Sequence, residues 1–274
     1  MLDIPFLKEE HTPVPPAILK IAVILCGLVP IVLAYRSETP PSMMSAVVTA
    51  VAAILVFTGW RLSFAQAGDE PRSKKWLLLV GAGALGACAS LFLQQSFNAV
   101  NFLWALLLPT LVIMNQAMLR NSSLCRHVMI PLMFGAIFMF TAGSLGVPTL
   151  GAFPAVIGAL FIAVVRATIE IEEDLFENHA DSKHMEVEQH YRHRLAITAV
   201  IFFLFGTVSL WPWLGDMYGK GYFWLLLVGV LLPLAFFWGR IRQPKLEGAK
   251  TALIRFNRIA PVLGLIHVLA FIAS

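Results

Sequence analysis

Nine apolar runs of roughly membrane-spanning length, parted by short polar breaks, constrain this chain more than any motif in it. They fall near 17–35, 43–62, 76–94, 99–119, 126–146, 150–168, 195–214, 221–240 and 255–273. A run of about 20 apolar residues crosses hydrocarbon as a helix, because every backbone N–H and C=O then finds its partner inside the segment. The alternating segments of a membrane barrel do not occur. Only 13% of the residues are charged, against about 25% in a soluble domain. The chain therefore reads as an all-α integral membrane protein with nine transmembrane helices, forming a single membrane domain over residues 1–274. The first 16 residues, with Glu9, Glu10 and several prolines, read as a cytoplasmic tail and not as a cleaved leader. Cys26, Cys88 and Cys125 show no metal-type spacing and read as free thiols packed like small apolar groups.

The cations set the orientation. With the N-terminus in the cytoplasm and nine crossings, only Arg36 and Lys220 of the 20 Lys and Arg residues fall outside. A missed crossing would scramble that split, so the positive-inside rule favours this count and places the C-terminus outside. The polar segments 61–75, 119–127, 166–194 and 240–255 then face the cytoplasm, and the active face is expected there. The expected location is the cell (inner) membrane of a bacterium or archaeon.

One of these segments stands apart. Residues 166–194 are the longest polar interval and hold half of the 16 acids and four of the seven histidines. Continued past Arg166 as a helix, the sixth run brings Glu170, Glu173, Asp174, Glu177 and Asp181 to one face, with Ile169, Leu175 and Phe176 as its apolar side. Stacked carboxylates repel, so a positive partner is expected. One candidate is magnesium, which takes one or two carboxylates together with phosphate oxygens. The other is neutralisation by Lys183, Arg192, Arg194 and the nearby histidines.

Other chemistries fit less well. No Asp, Glu, Lys or Arg lies near the middle of a run, which argues against an ion-coupled transporter. His267 is the only ionisable group deep in a run, and its simplest role is a hydrogen bond to a neighbouring helix. A metal-dependent membrane oxidase would use clustered histidines, but His179, His184, His190 and His193 are spaced by five, six and three residues without a repeated box. No basic run suggests nucleic acid. Cationic loops carrying Arg61, Arg72, Lys74, Arg120 and Arg126 would suit a diphosphate at the mouth of an apolar cavity. The positive-inside rule alone also explains these cations.

These features together resemble the UbiA superfamily of intramembrane prenyltransferases. After its sixth span that family often reads R-E-I-x-K-D-I-E-D-x-x-G-D, and this chain reads RATIEIEEDLFEN. Aligned without gaps, Arg166, Glu173 and Asp174 match, while Glu170, Ile171 and Asn178 stand where Lys, Asp and Asp are usual. A shift of one residue matches Glu170 and Glu172 instead. Asn115 to Arg120 is similar to the family's Y-S-x-x-L-K, and the RIRQPKLEGAK link between the last two runs looks like its C-terminal end. The family's first motif, N-D-x-x-D-x-x-x-D, falls on Arg61 to Asp69, where Leu62 and Ala65 replace two aspartates and Asp69 remains beside Glu70.

The resemblance implies transfer of an isoprenyl group from a prenyl diphosphate to a membrane-soluble aromatic or lipid acceptor. It implies Mg²⁺ as cofactor, held by Asp69, Glu170, Glu173 and Asp174. It implies Glu170, Glu173 and Asp174 as the catalytic carboxylates, and Arg61, Arg72, Lys74, Arg120 and Arg166 as the diphosphate-binding residues. The thinned first motif keeps a second expectation open: a non-catalytic UbiA-like protein that binds an isoprenoid lipid or scaffolds a partner.

Overall fold

A computed structural model describes residues 16–37, 41–65, 75–115, 123–177, 184–242 and 246–273. Every regular element among them is helical. The first five are α1 (Pro16–Arg36), α2 (Met43–Ala65), α3 (Lys75–Leu93), α4 (Ala99–Met114) and α5 (Ser123–Ser144). They are followed by α6 (Pro148–Glu177), α7 (His184–Leu214), α8 (Lys220–Leu226), α9 (Leu232–Ile241) and α10 (Leu246–Ala270). A π-helical turn, Leu227–Leu231, joins α8 to α9. Pro233 opens α9 and has no N–H to donate, so the ordinary helical ladder cannot run unbroken through this point.

Each of the nine apolar runs is thus one helical rod among the described residues. Seven rods are long and apolar enough to cross a bilayer, and two apolar helices, Ala99–Met114 and Val128–Ser144, are shorter over their described residues. This is an all-helical integral membrane protein.

α5 sits at the centre. Every residue from Met133 to Leu145 is buried, and α5 packs against α1, α2, α3, α4 and α6. Its end is set by Gly146, whose φ of 74° few other residues adopt. The Gly146 N–H donates to Gly143 O and the Val147 N–H to Ala142 O, a Schellman closure, and Pro148 then starts α6. This Gly-Val-Pro turn parts the fifth and sixth apolar runs. Gly146→Val should cost about 1–2 kcal/mol of stability, read as a lower unfolding midpoint in detergent.

Apolar side chains cover the outside of the bundle. Leu78 is 74% exposed, Leu85 73% and Phe203 71%. Such a surface is stable only against lipid. Helices in lipid gain little from burying one another's apolar groups, so close backbone approach has to supply the packing. α2 and α3 illustrate this: a Cβ on Gly59 would lie 2.8 Å from the Trp76 carbonyl oxygen and 2.8 Å from the Val80 side chain. Gly59→Leu should push the pair apart and lower the unfolding midpoint by several degrees, whereas Gly27→Leu, with no neighbour within 4 Å, should not.

At one end the bundle outruns its apolar core. α6 continues to Glu177, α7 begins at His184 and α10 begins at Leu246, each beyond its apolar run. α7 starts well before the expected residue 195, and α10 well before the expected residue 255. The added turns are covered by protein instead of lipid: Ala249, Ala252 and Leu253 join Ile171, Tyr191 and Ile241 in a second small core. The Tyr191 hydroxyl donates to the Ile241 carbonyl at 2.5 Å and closes that core. At the opposite end, Arg36 donates to the Phe271 carbonyl at 2.9 Å and lies 4.6 Å from the Tyr218 ring centroid, tying α1 to the end of α10.

Candidate functional site at the polar end

The site is built on α6 beyond the main core. Ile169 points into the main core and Ile171 into the small one, and Glu170 and Glu172 are left to meet α7 and α10. Helical backbone through Glu177 keeps Glu170, Glu173, Asp174 and Glu177 in the expected register. Asp181 lies outside the described residues.

Glu170 sits between two guanidinium groups. Arg166 Nε donates to Glu170 Oε1 at 2.7 Å, one turn back on the same helix. Arg194 Nη1, from α7, donates to Glu170 Oε2 at 2.8 Å. The Glu170 and Arg166 side chains are 12% and 15% exposed, and that of Arg194 is 30% exposed. These are charge-assisted bonds in a partly shielded place, with two cations on one anion. A guanidinium has five N–H donors, and each of these contacts uses one.

A second link ties α6 to α10. The Asn257 amide donates to Glu172 Oε2 in a short contact. Thr168 Oγ1 lies 2.7 Å from the Val165 carbonyl and 3.3 Å from Asn257 Oδ1. Its single proton serves the nearer acceptor. Glu172 is thus committed to a helix–helix contact, whereas Glu173 is exposed.

The structure brings together only some of the expected residues. Arg166 and Glu170 meet, and Arg194 joins them. Arg61 is exposed near the end of α2, where Leu62 and Ala65 occupy the aspartate positions of the first motif. Asp69, Arg72, Lys74 and Arg120 lie outside the described residues, and Asp174 is described only as helical backbone. His193 is exposed, and His184 and His190 are placed only as backbone of α7. Among the described residues no group of three His, Cys, Asp or Glu could hold a metal ion. Sequence reasoning passed over Asn257 altogether and named Arg194 only as a neutralising partner of the acidic stretch, a role its ion pair with Glu170 bears out. The available signal for Asn257 was a polar residue between Arg255 and Arg258 at the foot of an apolar run.

No protein-family model and no curated protein matches the chain. A solved structure does. It is a digeranylgeranylglyceryl phosphate synthase of membranes, with a TM-score of 0.63 and 12% identity, covering 93% of this chain and 96% of that one. The agreement spans nearly both whole chains, so it bears on the order and packing of all the rods. The chain carries the fold of that membrane synthase, in keeping with the fold that the sequence resemblance implied.

Proposed function

We propose that the protein is a prenyltransferase that moves an isoprenyl group from a prenyl diphosphate to an aromatic or lipid acceptor within the membrane. The fold shared along nearly the whole chain with a solved membrane digeranylgeranylglyceryl phosphate synthase, taken with the UbiA-like sequence after the sixth run, carries this reading. The polar end, where α6 leaves the core with its carboxylates and Arg166 and meets Arg194 of α7, is the reaction mouth. Nine crossings with that mouth in the cytoplasm of a bacterium or archaeon suit the distribution of Lys and Arg, with only Arg36 and Lys220 outside.

The chain's own residues divide the work. Arg166, with Arg61, Arg72, Lys74 and Arg120, meets the diphosphate oxygens. Glu173, exposed on α6, is assigned the metal together with Asp174 and Asp69. Their hard oxygens suit Mg²⁺ in kind. Glu173 is exposed to solvent, whereas both Glu170 oxygens accept from guanidinium groups and fit a metal less well. Bound there, magnesium supplies charge withdrawal from the leaving diphosphate. The apolar bundle keeps water from the allylic cation, and aromatic rings stabilise it.

The end of α2 favours a second reading. Leu62 and Ala65 offer no carboxylate, which suits a non-catalytic relative that binds an isoprenoid lipid or scaffolds a partner. One assay separates the two. Purified protein is incubated with geranylgeranyl diphosphate, a lipid extract and Mg²⁺, and diphosphate release is followed. Magnesium-dependent release with a prenylated product supports the enzyme. A bound prenyl lipid with no release, unaffected by EDTA, supports the non-catalytic relative and overturns the enzyme.

A further inference from the structure

We infer that Glu170 is a positioning residue which holds Arg166 and Arg194 side by side as a guanidinium pair for diphosphate oxygens. This rests on the proposed diphosphate chemistry but departs from it at two residues. It takes Glu170 out of the metal site, and it adds Arg194, a residue of α7, to the anion site.

The geometry leads there in three steps. Each Glu170 oxygen already accepts a charge-assisted bond, one from Arg166 Nε and one from Arg194 Nη1. A metal ion on the same carboxylate would bring a third positive centre against two guanidinium groups, so the local charge opposes it. Second, the two arginines come from different helices, and a long cationic side chain loses rotamer freedom when it is held in one geometry. The carboxylate between them imposes that geometry before any ligand arrives, which is preorganisation. Third, Arg194 is the most exposed of the three at 30%, against 15% for Arg166 and 12% for Glu170. An arriving anion thus meets Arg194 first. Planar guanidinium groups suit phosphate oxygens better than lysine does.

The neighbouring acid strengthens the distinction. Glu172 is held by Asn257 of α10, and Ile171 is buried in the small core. This stretch of α6 is therefore pinned on two sides, by α7 at Glu170 and by α10 at Glu172. Arg166 and Arg194 thus stand on helices α6 and α7.

The test is a double-mutant cycle on the full-length protein in detergent, read by calorimetric titration with inorganic pyrophosphate. It is run in EDTA and again across a magnesium series. Wild type should bind pyrophosphate in EDTA, and Arg194→Gln should weaken that binding about tenfold or more. In a Glu170→Gln background the same Arg194→Gln change should matter less than threefold, because the arginine is no longer held. Glu170→Gln alone should leave the magnesium concentration for half-saturation within about twofold of wild type. Arg194→Lys, which keeps the charge and serves as the milder variant if Arg194→Gln fails to fold, should lose less than Arg194→Gln.

Equal Arg194→Gln losses in both backgrounds would overturn the positioning role. So would a tenfold rise in the magnesium requirement of Glu170→Gln. A geranylgeranyl diphosphate analogue, titrated alongside, separates the two levels. If it binds but Arg194→Gln has no effect, this inference fails and the prenyl diphosphate reading stands. If pyrophosphate binds through the arginine pair but the prenyl analogue gains nothing over it, the prenyl reading fails and this one stands. If wild type binds neither, both fall.

Discussion

Glu173→Gln combined with Asp174→Asn should lower prenyl transfer by roughly a thousandfold, a loss of about 4 kcal/mol of transition-state stabilisation. The change removes two negative charges from the end of α6 at little cost in volume. Glu173 is exposed, so its replacement leaves no cavity behind. The unfolding midpoint should stay within about 2 °C of wild type. Rate and stability should therefore separate, and a rate assay beside a thermal melt in detergent measures both. Retained turnover in the double variant would remove these acids from the reaction.

The largest structural effect is expected on α10. Asn257→Leu deprives Glu172 of its amide donor and puts an apolar group beside a carboxylate. Leaving a partly buried charged acceptor without its partner costs about 1–3 kcal/mol. The small core of Ile171, Tyr191, Ile241, Ala249, Ala252 and Leu253 rests on the same helix contact and should loosen with it. Unfolding in detergent should show the loss. Amide exchange should show faster opening at the start of α10 than in α5, whose central residues are fully buried. Asn257→Asp should be worse than Asn257→Leu, because it sets a second carboxylate against Glu172. A wild-type melt for both variants would mean that the contact holds nothing.

Much of this was legible in the sequence because lipid permits so few solutions. A run of apolar residues has to be a helix there, and each of the nine runs is one rod in the structure. The continuation of α6 to Glu177 was legible for a local reason: its acids and apolar residues keep helical spacing. Contacts between distant residues were not. Arg194 reaches Glu170 across 24 residues and Asn257 reaches Glu172 across 85, and no spacing rule connects such pairs. The early start of α10 was hidden for another reason. Leu246 to Arg258 carries enough charge to resemble a loop, and only the small core beneath Ala249, Ala252 and Leu253 explains why it is helix. Glu170 was grouped with its neighbouring acids by register alone. Register fixes the face a side chain leaves from, but its partners fix what it can do, and here they are two arginines.

The central claim is that a prenyl diphosphate binds at the polar end. The direct measurement is titration of the purified protein with a non-hydrolysable geranylgeranyl diphosphate analogue, in magnesium and in EDTA. Binding that inorganic pyrophosphate displaces, and that magnesium tightens by about tenfold or more, is the expected result. No binding in either condition, or binding that pyrophosphate cannot displace, would contradict it.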